Sequence, residues 1–421
     1  MKFFRLMLIT VLILSIGLTG CGKKEVTTST SSDAPKTIKI GTILPLTGDA
    51  APLGKLGKEA REMAVEEINA AGGIKALGGA KLELVFGDSE GKPQVGVSEA
   101  ERLITQEKVV MLNGSYQSGV TLPASEVAER YKMVWLAPVP SDPVITQRGF
   151  KYVFRMADTS AMRVASQIQF MQYIKQEYGV DLKTAALVYE NTAWGQGVAK
   201  EWKNQLPGAG FEIVIDEPYD KSAADLTPVV TKVKNANPDV VLLVSYVSDA
   251  TLLANGFHEQ KVQPKLFIGT SGGYADPEYI RNTGKATLGF FDISAWEQDV
   301  SRPFSKEIND KFVKRYGYPM NGEAVKAYTA MYVIADALER AGSTDSEKLR
   351  DAFAATDMTE GPVQMYTKHI HFDETQTLPD PALVMVQFQE VDGKVERVTV
   401  WPQDAARKKA DGTTYEIIFN K

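Results

Sequence analysis

Apolar and polar positions along the chain fall into short blocks of two kinds that alternate. "TIKIGTILP" (37–45) is an alternating run that reads as a strand. It leads through Gly54 into "KLGKEAREMAVEEINAAGG", where Ala60, Met63, Ala64, Ile68 and Ala71 recur at helical spacing and Gly72-Gly73 ends the helix. "KLELVFGD" (81–88) is the next strand, followed by a helix from Pro93 with Val97, Ala100 and Ile104 on one face. "KVVML" and "MVWLAP" follow, with a helix between them. Beyond residue 155 the pattern restarts with "TAALVYE", "FEIVIDE", "DVVLLVSY" and "KLFIGT", each separated by an amphipathic segment of helix length.

These apolar runs are short and nearly continuous, as in parallel strands covered on both faces. The pattern predicts two α/β domains, each an open parallel sheet of βα units. The segments "VVMLNGSYQSGVTL" (109–122) and "VVLLVSYVSDATLL" (240–253) echo each other faintly. Ligands of open parallel sheets sit beyond the carboxyl ends of strands. The loops there, "LTGDAAPLG", "NGSYQSG", "PVPSDP", "NTAWGQG", "VSDA" and "TSGGY", are rich in Gly, Ser, Thr and aromatics. Two sheets presenting such loops to each other would make a cleft.

The N-terminus changes the picture of where the chain works. Lys2 and Arg5 precede an apolar stretch, Leu6 to Leu18, too short to span a bilayer. Leu18-Thr19-Gly20-Cys21 then reads as a lipobox, with residues 1–20 a signal peptide and Cys21, the only cysteine, the lipidated new N-terminus. Two or more acyl chains give stable anchoring. The polar stretch through residue 36 reads as a flexible tether, so the expected location is the outer face of a membrane. Loss of the signal removes two positive charges and takes the formal charge from −6 to −8. That balance argues against nucleic acid and against a basic membrane-binding face. The remaining residues, roughly 385, exceed what one core usually holds.

One motif poses a chemical question. Gly269-Thr270-Ser271-Gly272-Gly273 is G-x-S-x-G, the pattern of a serine-hydrolase elbow, and Asp276, Asp292, His369 and His371 lie downstream. Two glycines and a proline before any helix predict a loose loop, however. His369 and His371 share one face of an expected strand, with no third metal ligand nearby. A wall of a binding cleft, with glycines permitting close backbone approach, is the favoured reading, and a hydrolase at Ser271 the remote alternative. No nucleotide-binding fingerprint follows any strand, so neither cofactor nor metal is expected.

Several blocks together resemble bacterial solute-binding proteins of the leucine/isoleucine/valine-binding type. They are the lipobox, "IKIGTILPLTGDAAPLGK", "AAGGI", "GSYQSGVTLPAS", "VWLAPVPSDPVITQRGFKYVFR", "ENTAWGQG", "SYVSDA" and "AYTAMYVIADALERAGSTD". The resemblance runs from about residue 37 to 375. It implies the type I periplasmic-binding-protein fold: two Rossmann-like lobes with parallel sheets, joined by three crossovers. Lobe one would be 37–155 plus 295–372, and lobe two 156–294 plus 373–421. It also implies a non-enzymatic role, delivering a small solute to an ATP-driven permease in the inner membrane, with a solute sensor for a membrane receptor as the nearer rival.

Carried over by position, the resemblance puts a solute carboxylate at Ser118, the Val139 carbonyl and Ser141. Hydroxyls and N–H groups at a helix N-terminus suit an anion. Trp194 would close over the solute from lobe two, Tyr246 and Ser248 would line the cleft there, and Leu53 stands where the family often has tyrosine. The amino-acid binders of the family pair the ammonium group with a glutamate at a position that is Ser271 here. A buried ammonium without a carboxylate is costly. Glu323 is the candidate substitute. Failing that, the solute would be an aromatic or branched carboxylate without an amine.

Overall fold

A computed structural model of the chain describes residues 37–419. The signal segment, Cys21 and the tether expected from the sequence lie outside the described residues. The first restarting pattern builds strands β1 (Thr37–Leu44), β2 (Lys81–Asp88), β3 (Met111–Gly114), β4 (Trp135–Ala137) and β5 (Val153–Arg155). They form one parallel sheet in the order β2-β1-β3-β4-β5. Helices α1 (Ala51–Ala70), α2 (Pro93–Thr105) and α3 (Ser118–Arg130) connect them. Helix α1 buries Leu56, Ala60, Met63, Ala64 and Ile68, as the periodicity predicts. Ala71 is the exposed cap rather than part of that face. Gly73 is required at the stop: its φ is +72°, and a Cβ there would lie 2.4 Å from the Ala80 carbonyl oxygen.

The second pattern builds α4 (Ser160–Tyr178), β6 (Thr184–Glu190), α5 (Ala193–Gln205), β7 (Glu212–Tyr219), α6 (Thr227–Ala236), β8 (Val240–Val244), α7 (Val247–Glu259), β9 (Leu266–Gly269), α8 (Pro277–Thr283) and β10 (Phe291–Ser294). The chain then returns to the first sheet through α9 (Ser305–Tyr316), α10 (Gly322–Ala341) and α11 (Ser346–Ala354), α10 packing along α1. A small antiparallel pair, β11 (Asp357–Met358) and β12 (Ile370–His371), follows. A last passage leads to β13 (Val384–Val391) and β14 (Lys394–Trp401) on the second sheet. The chain thus passes between the sheets three times, and Arg155 ties two passages together. Its N–H donates to the Gln376 carbonyl at 2.8 Å, and its own carbonyl accepts from Leu378 at 2.9 Å.

The second sheet has the order β14-β13-β10-β9-β8-β6-β7 and is mixed rather than wholly parallel. β13 and β14 form an antiparallel hairpin on the edge of β10. Asp392 and Gly393 turn it with φ values of +50° and +77°, the two left-handed residues that a tight hairpin turn requires.

In each sheet the chain begins in the interior, steps to one side and then reverses to the other. The reversal falls between β1 and β3 in one sheet and between β6 and β8 in the other. At such switch points the connecting helices leave on opposite faces and open a crevice beyond the strand ends. The two segments that echo each other in sequence are the strand–turn–helix units β3–α3 and β8–α7, one at each reversal.

Candidate functional site

The turns at the two reversals are held rigidly from below. After β3, the Trp135 indole N–H donates to the Gly114 carbonyl at 2.7 Å, and the Ser115 hydroxyl donates to the Gln117 carbonyl at 3.1 Å. This sets Tyr116, Gln117 and Ser118 at the start of α3, where the first N–H groups of a helix lack intrahelical acceptors. The Asp142 N–H donates to the Ser118 hydroxyl at 3.3 Å and ties α3 to the Val139–Ser141 turn. The Ser160 N–H fixes that turn in its place by donating to the Ser141 carbonyl at 3.0 Å.

In the second sheet, Glu190 at the end of β6 accepts from the N–H groups of Thr192 and Gly195, both at 2.7 Å. Burial pushes its carboxyl up, and these hydrogen bonds oppose the shift. Gly195 cannot be replaced, since a Cβ would sit 1.9 Å from the Glu190 carbonyl oxygen. The result is a fixed Trp194, with its ring centroid 5.2 Å from that of Tyr246. Tyr246 in turn lies 6.3 Å from Tyr116 of the first sheet. Burial pushes the phenols of Tyr116 and Tyr246 well up, so both keep their protons and remain donors.

Between these turns lies a narrow cavity of about 20 Å³. Tyr116, Ser118, Val139 and Ser141 form its wall on the first sheet's side. Trp194, Tyr246, Gly272 and Arg163 face them, and Glu323 enters from the first turn of α10. A space of that size holds about one water, so a solute enters only when the two walls separate.

"GTSGG" forms part of this wall. Ser271 is not on a loose loop: it stands between β9 and a short 3₁₀ turn, Gly272–Ala275, with φ +61° and ψ −138°. That conformation is strained for a residue with a side chain. It is held by the Ser271 N–H donating to Asp292 at 2.6 Å and by the Ser271 hydroxyl donating to Glu323 at 3.0 Å. Both partners are carboxylates, and neither histidine is among them. His369 and His371 stack on each other at 4.1 Å, His371 on β12 and His369 just before it, and His369 pairs with Asp357. Gly272 and Gly273 serve close approach: a Cβ on either would meet Trp194 or the Tyr246 backbone at 2.2–2.3 Å. No group of three or more metal-ligating side chains occurs among the described residues.

Glu323, far from being a solvated helix-start carboxylate, is buried in a cluster of four charges. Lys326, one turn on, lies 2.7 Å from Glu323 and 3.1 Å from Asp158. Arg163 forms a close ion pair with Asp158, lies 3.5 Å from Glu323 and donates to the Thr270 carbonyl at 3.1 Å. Burial by itself would raise the Asp158 carboxyl, but Arg163 and Lys326 hold it well below the usual range. Burial would lower Arg163, and Asp158 and Glu323 carry it above its ordinary value.

The structure therefore brings Ser118, Val139, Ser141, Trp194, Tyr246 and Glu323 onto one cavity, with Ser271 directly behind Glu323. Leu53 is buried in the apolar cluster with Tyr116, Trp194 and Tyr246, and it is not on the lining. Ser248 is exposed on the first turn of α7, outside the cavity, because Tyr246 rather than Ser248 is the residue at the helix start that turns inward. Sequence reasoning passed over Tyr116, Gln117 and Arg163. One signal was available for the charge cluster: Glu323 and Lys326, three residues apart, share a face with Ala327, Ala330 and Ile334 in the largely apolar first half of α10.

Comparison with known proteins agrees with the fold. A family model described as periplasmic binding protein matches residues 37–393. Leu/Ile/Val-binding protein homolog 7 of Brucella abortus is 31% identical over 385 residues, spanning 89% of this chain and 94% of that protein. Homolog 8 of the same organism is 28% identical over 380 residues, spanning 88% and 92%. Among solved structures, the leucine binding protein LivK of Thermotoga maritima superposes with a TM-score of 0.76 at 23% identity, covering 87% of this chain and 99% of that one. An ABC-transporter solute binding protein of Rhodopseudomonas palustris, in complex with 3,4-dihydroxybenzoic acid, gives 0.76 at 22% identity, covering 88% and 98%. With a matching family model over most of its length and a relative above 30% identity, the chain belongs to the type I periplasmic binding proteins of the Leu/Ile/Val-binding family, solute-binding proteins of ABC transporters.

Proposed function

We propose that the chain is the extracytoplasmic receptor of an ATP-driven importer, anchored by lipidated Cys21, that captures a small carboxylate-bearing solute and hands it to a membrane permease. One observation carries this reading: a single cavity is walled from both sheets' reversal points, by Ser118 and Ser141 on one side and Trp194 and Tyr246 on the other. A solute held there touches both halves at once. It therefore binds the closed arrangement better than an open one, and that difference in affinity is what drives closure. The carboxylate end belongs at the start of α3, where the Ser118 hydroxyl and unpaired first-turn N–H groups favour an anion. The Ser141 hydroxyl adds a donor from the neighbouring turn. Trp194 and Tyr246 cover the apolar part.

A thermal-shift screen of the purified chain against branched-chain and aromatic amino acids and their deaminated acids tests the capture step. A solute at about a thousand times its dissociation constant adds roughly 4 kcal/mol and raises the melting temperature by several degrees. Uptake of that radiolabelled solute by cells with and without the chain tests delivery. Equal uptake by both would sink the transport role.

A further inference from the structure

A separate groove between the two halves shares no lining residue with the cavity at the strand ends. Its volume is about 510 Å³, within the range of small-molecule pockets. Leu46, Pro52, Leu56 and Tyr318 wall it from the first half, and Asp276 and Pro277, where α8 begins, wall it from the second. The Asn321 side-chain amide at the start of α10 holds the two walls together by donating to the Ala275 carbonyl at 3.3 Å.

Charge in this groove is unevenly matched. Lys55, Lys58 and Arg281 stand on its rim, and each has an acid of its own: Glu59 at 3.7 Å, Glu62 at 3.7 Å and Glu278 at 2.7 Å. Asp276 has no ion-pair partner among the described residues, although it is only 3% exposed. One of its oxygens accepts from the Glu278 N–H at 2.7 Å, which accounts for its capping of α8. The other accepts from no donor among the described residues. Burial pushes the carboxyl up to about 6, so near neutral pH it is an ionised group without a counter-ion. A metal ion would need several oxygen ligands, and a single carboxylate is a poor cage. An anion would meet cations already paired and an acid that repels it. An organic cation is suited on both counts: its ammonium takes the open Asp276 oxygen, and its hydrocarbon covers Leu46, Pro52, Leu56 and Pro277.

We propose that this groove binds a small organic cation, an amine on an apolar body, with Asp276 as its counter-ion. Because its walls belong to opposite halves, an occupied groove favours the closed arrangement, so amine and solute raise each other's affinity. That coupling rests on the cavity at the strand ends being the solute site. The test is calorimetric titration of the intact chain with 2-phenylethylamine and cyclohexylamine, each against the matching alcohol, 2-phenylethanol and cyclohexanol. At least one amine binds, and its alcohol binds weaker by about tenfold or more. Asp276→Asn, which keeps an oxygen to cap α8, weakens the amine by about tenfold or more. Trp194→Ala, at the other cavity, leaves amine affinity unchanged. Failure of both amines, an alcohol binding as tightly as its amine, or full amine affinity in Asp276→Asn overturns the site. Loss of amine binding in Trp194→Ala assigns the amine to the other cavity and overturns it too. These comparisons need no solute, so they stand or fall apart from the transport reading. Repeating the amine titration with the tightest solute present reads the coupling: severalfold tighter binding is expected, and unchanged affinity overturns the coupling.

Discussion

Gly272→Ala is the sharpest probe of how the cleft wall is built. Gly272 has a φ of +61°, and a Cβ placed there would lie 2.3 Å from Cη2 of Trp194 and 2.9 Å from the Ser245 carbonyl oxygen. A left-handed conformation costs a residue with a Cβ about 1–2 kcal/mol. Forcing a methyl group into a filled site costs a further 1–3 kcal/mol or so. The Ser245 oxygen is backbone and cannot step aside, and Trp194 is backed by Tyr246, so neither cost is relieved by a shift of the neighbours. The expected loss is about 2–5 kcal/mol in urea unfolding, with a shifted Trp194 fluorescence maximum and solute affinity at least tenfold weaker. Gly208→Ala is the control, because nothing lies within 4 Å of its added carbon. A Gly272→Ala protein within about 0.5 kcal/mol of wild type, with unchanged fluorescence, would refute this packing of Trp194.

Three other outcomes are expected. Asp158→Asn leaves Arg163 and Lys326 with one carboxylate between them and costs about 3–5 kcal/mol near neutral pH. Because the Asp158 carboxyl is depressed in the fold, its stabilisation is complete above its ordinary value of 3.8 and fades as pH falls below it. Urea melts of the two proteins should therefore converge in acid, and a constant gap would contradict the pairing. Asp249, buried with only the Tyr219 hydroxyl at 2.7 Å on one oxygen, is pushed up by burial to about 7 from 3.8. A raised acid destabilises once ionised, so the cost is absent below pH 4 and complete above pH 7, roughly 4 kcal/mol for a rise from 3.8 to about 7. Asp249→Asn should melt several degrees above wild type at pH 8 and level with it at pH 4. Trp194→Ala removes the large aromatic wall of the proposed solute cavity and should weaken binding by about one to two orders of magnitude in calorimetry. Retention of affinity would move the solute away from Trp194.

Much of the fold was legible because its strands are buried on both faces and its helices on one. "TIKIGTIL" and "VVLLV" carry that difference in their patterns. The antiparallel edge was missed, although Asp392-Gly393 between "VMVQFQEV" and "KVERVTVW" is a strong hairpin signal. It stands outside the βα repeat, as an antiparallel edge on an otherwise parallel sheet. Ser118, Ser141, Trp194 and Tyr246 were legible as cavity-lining residues because strand-end loops carry the polar and aromatic residues. Arg163 and Lys326 were not, because they lie within helices α4 and α10 and pair with residues more than a hundred positions away. Ser248 shows the opposite limit. Residues two apart at a helix start point in different directions, so one loop places Tyr246 inside and Ser248 in solvent. In "GTSGG", composition predicted the glycines' close approach, whereas the strained Ser271 backbone depends on Asp292 and Glu323, which no local pattern reveals.

The central claim is that a carboxylate is captured between the start of α3 and the Trp194 wall. Calorimetric titration of Ser118→Ala/Ser141→Ala with the tightest solute found for the wild type tests it most directly. The account predicts affinity at least a hundredfold weaker, with the fold retained and the melting temperature lowered by no more than the few degrees that loss of the Asp142–Ser118 hydrogen bond costs. Full affinity in that double variant would place the solute elsewhere and contradict the site described above.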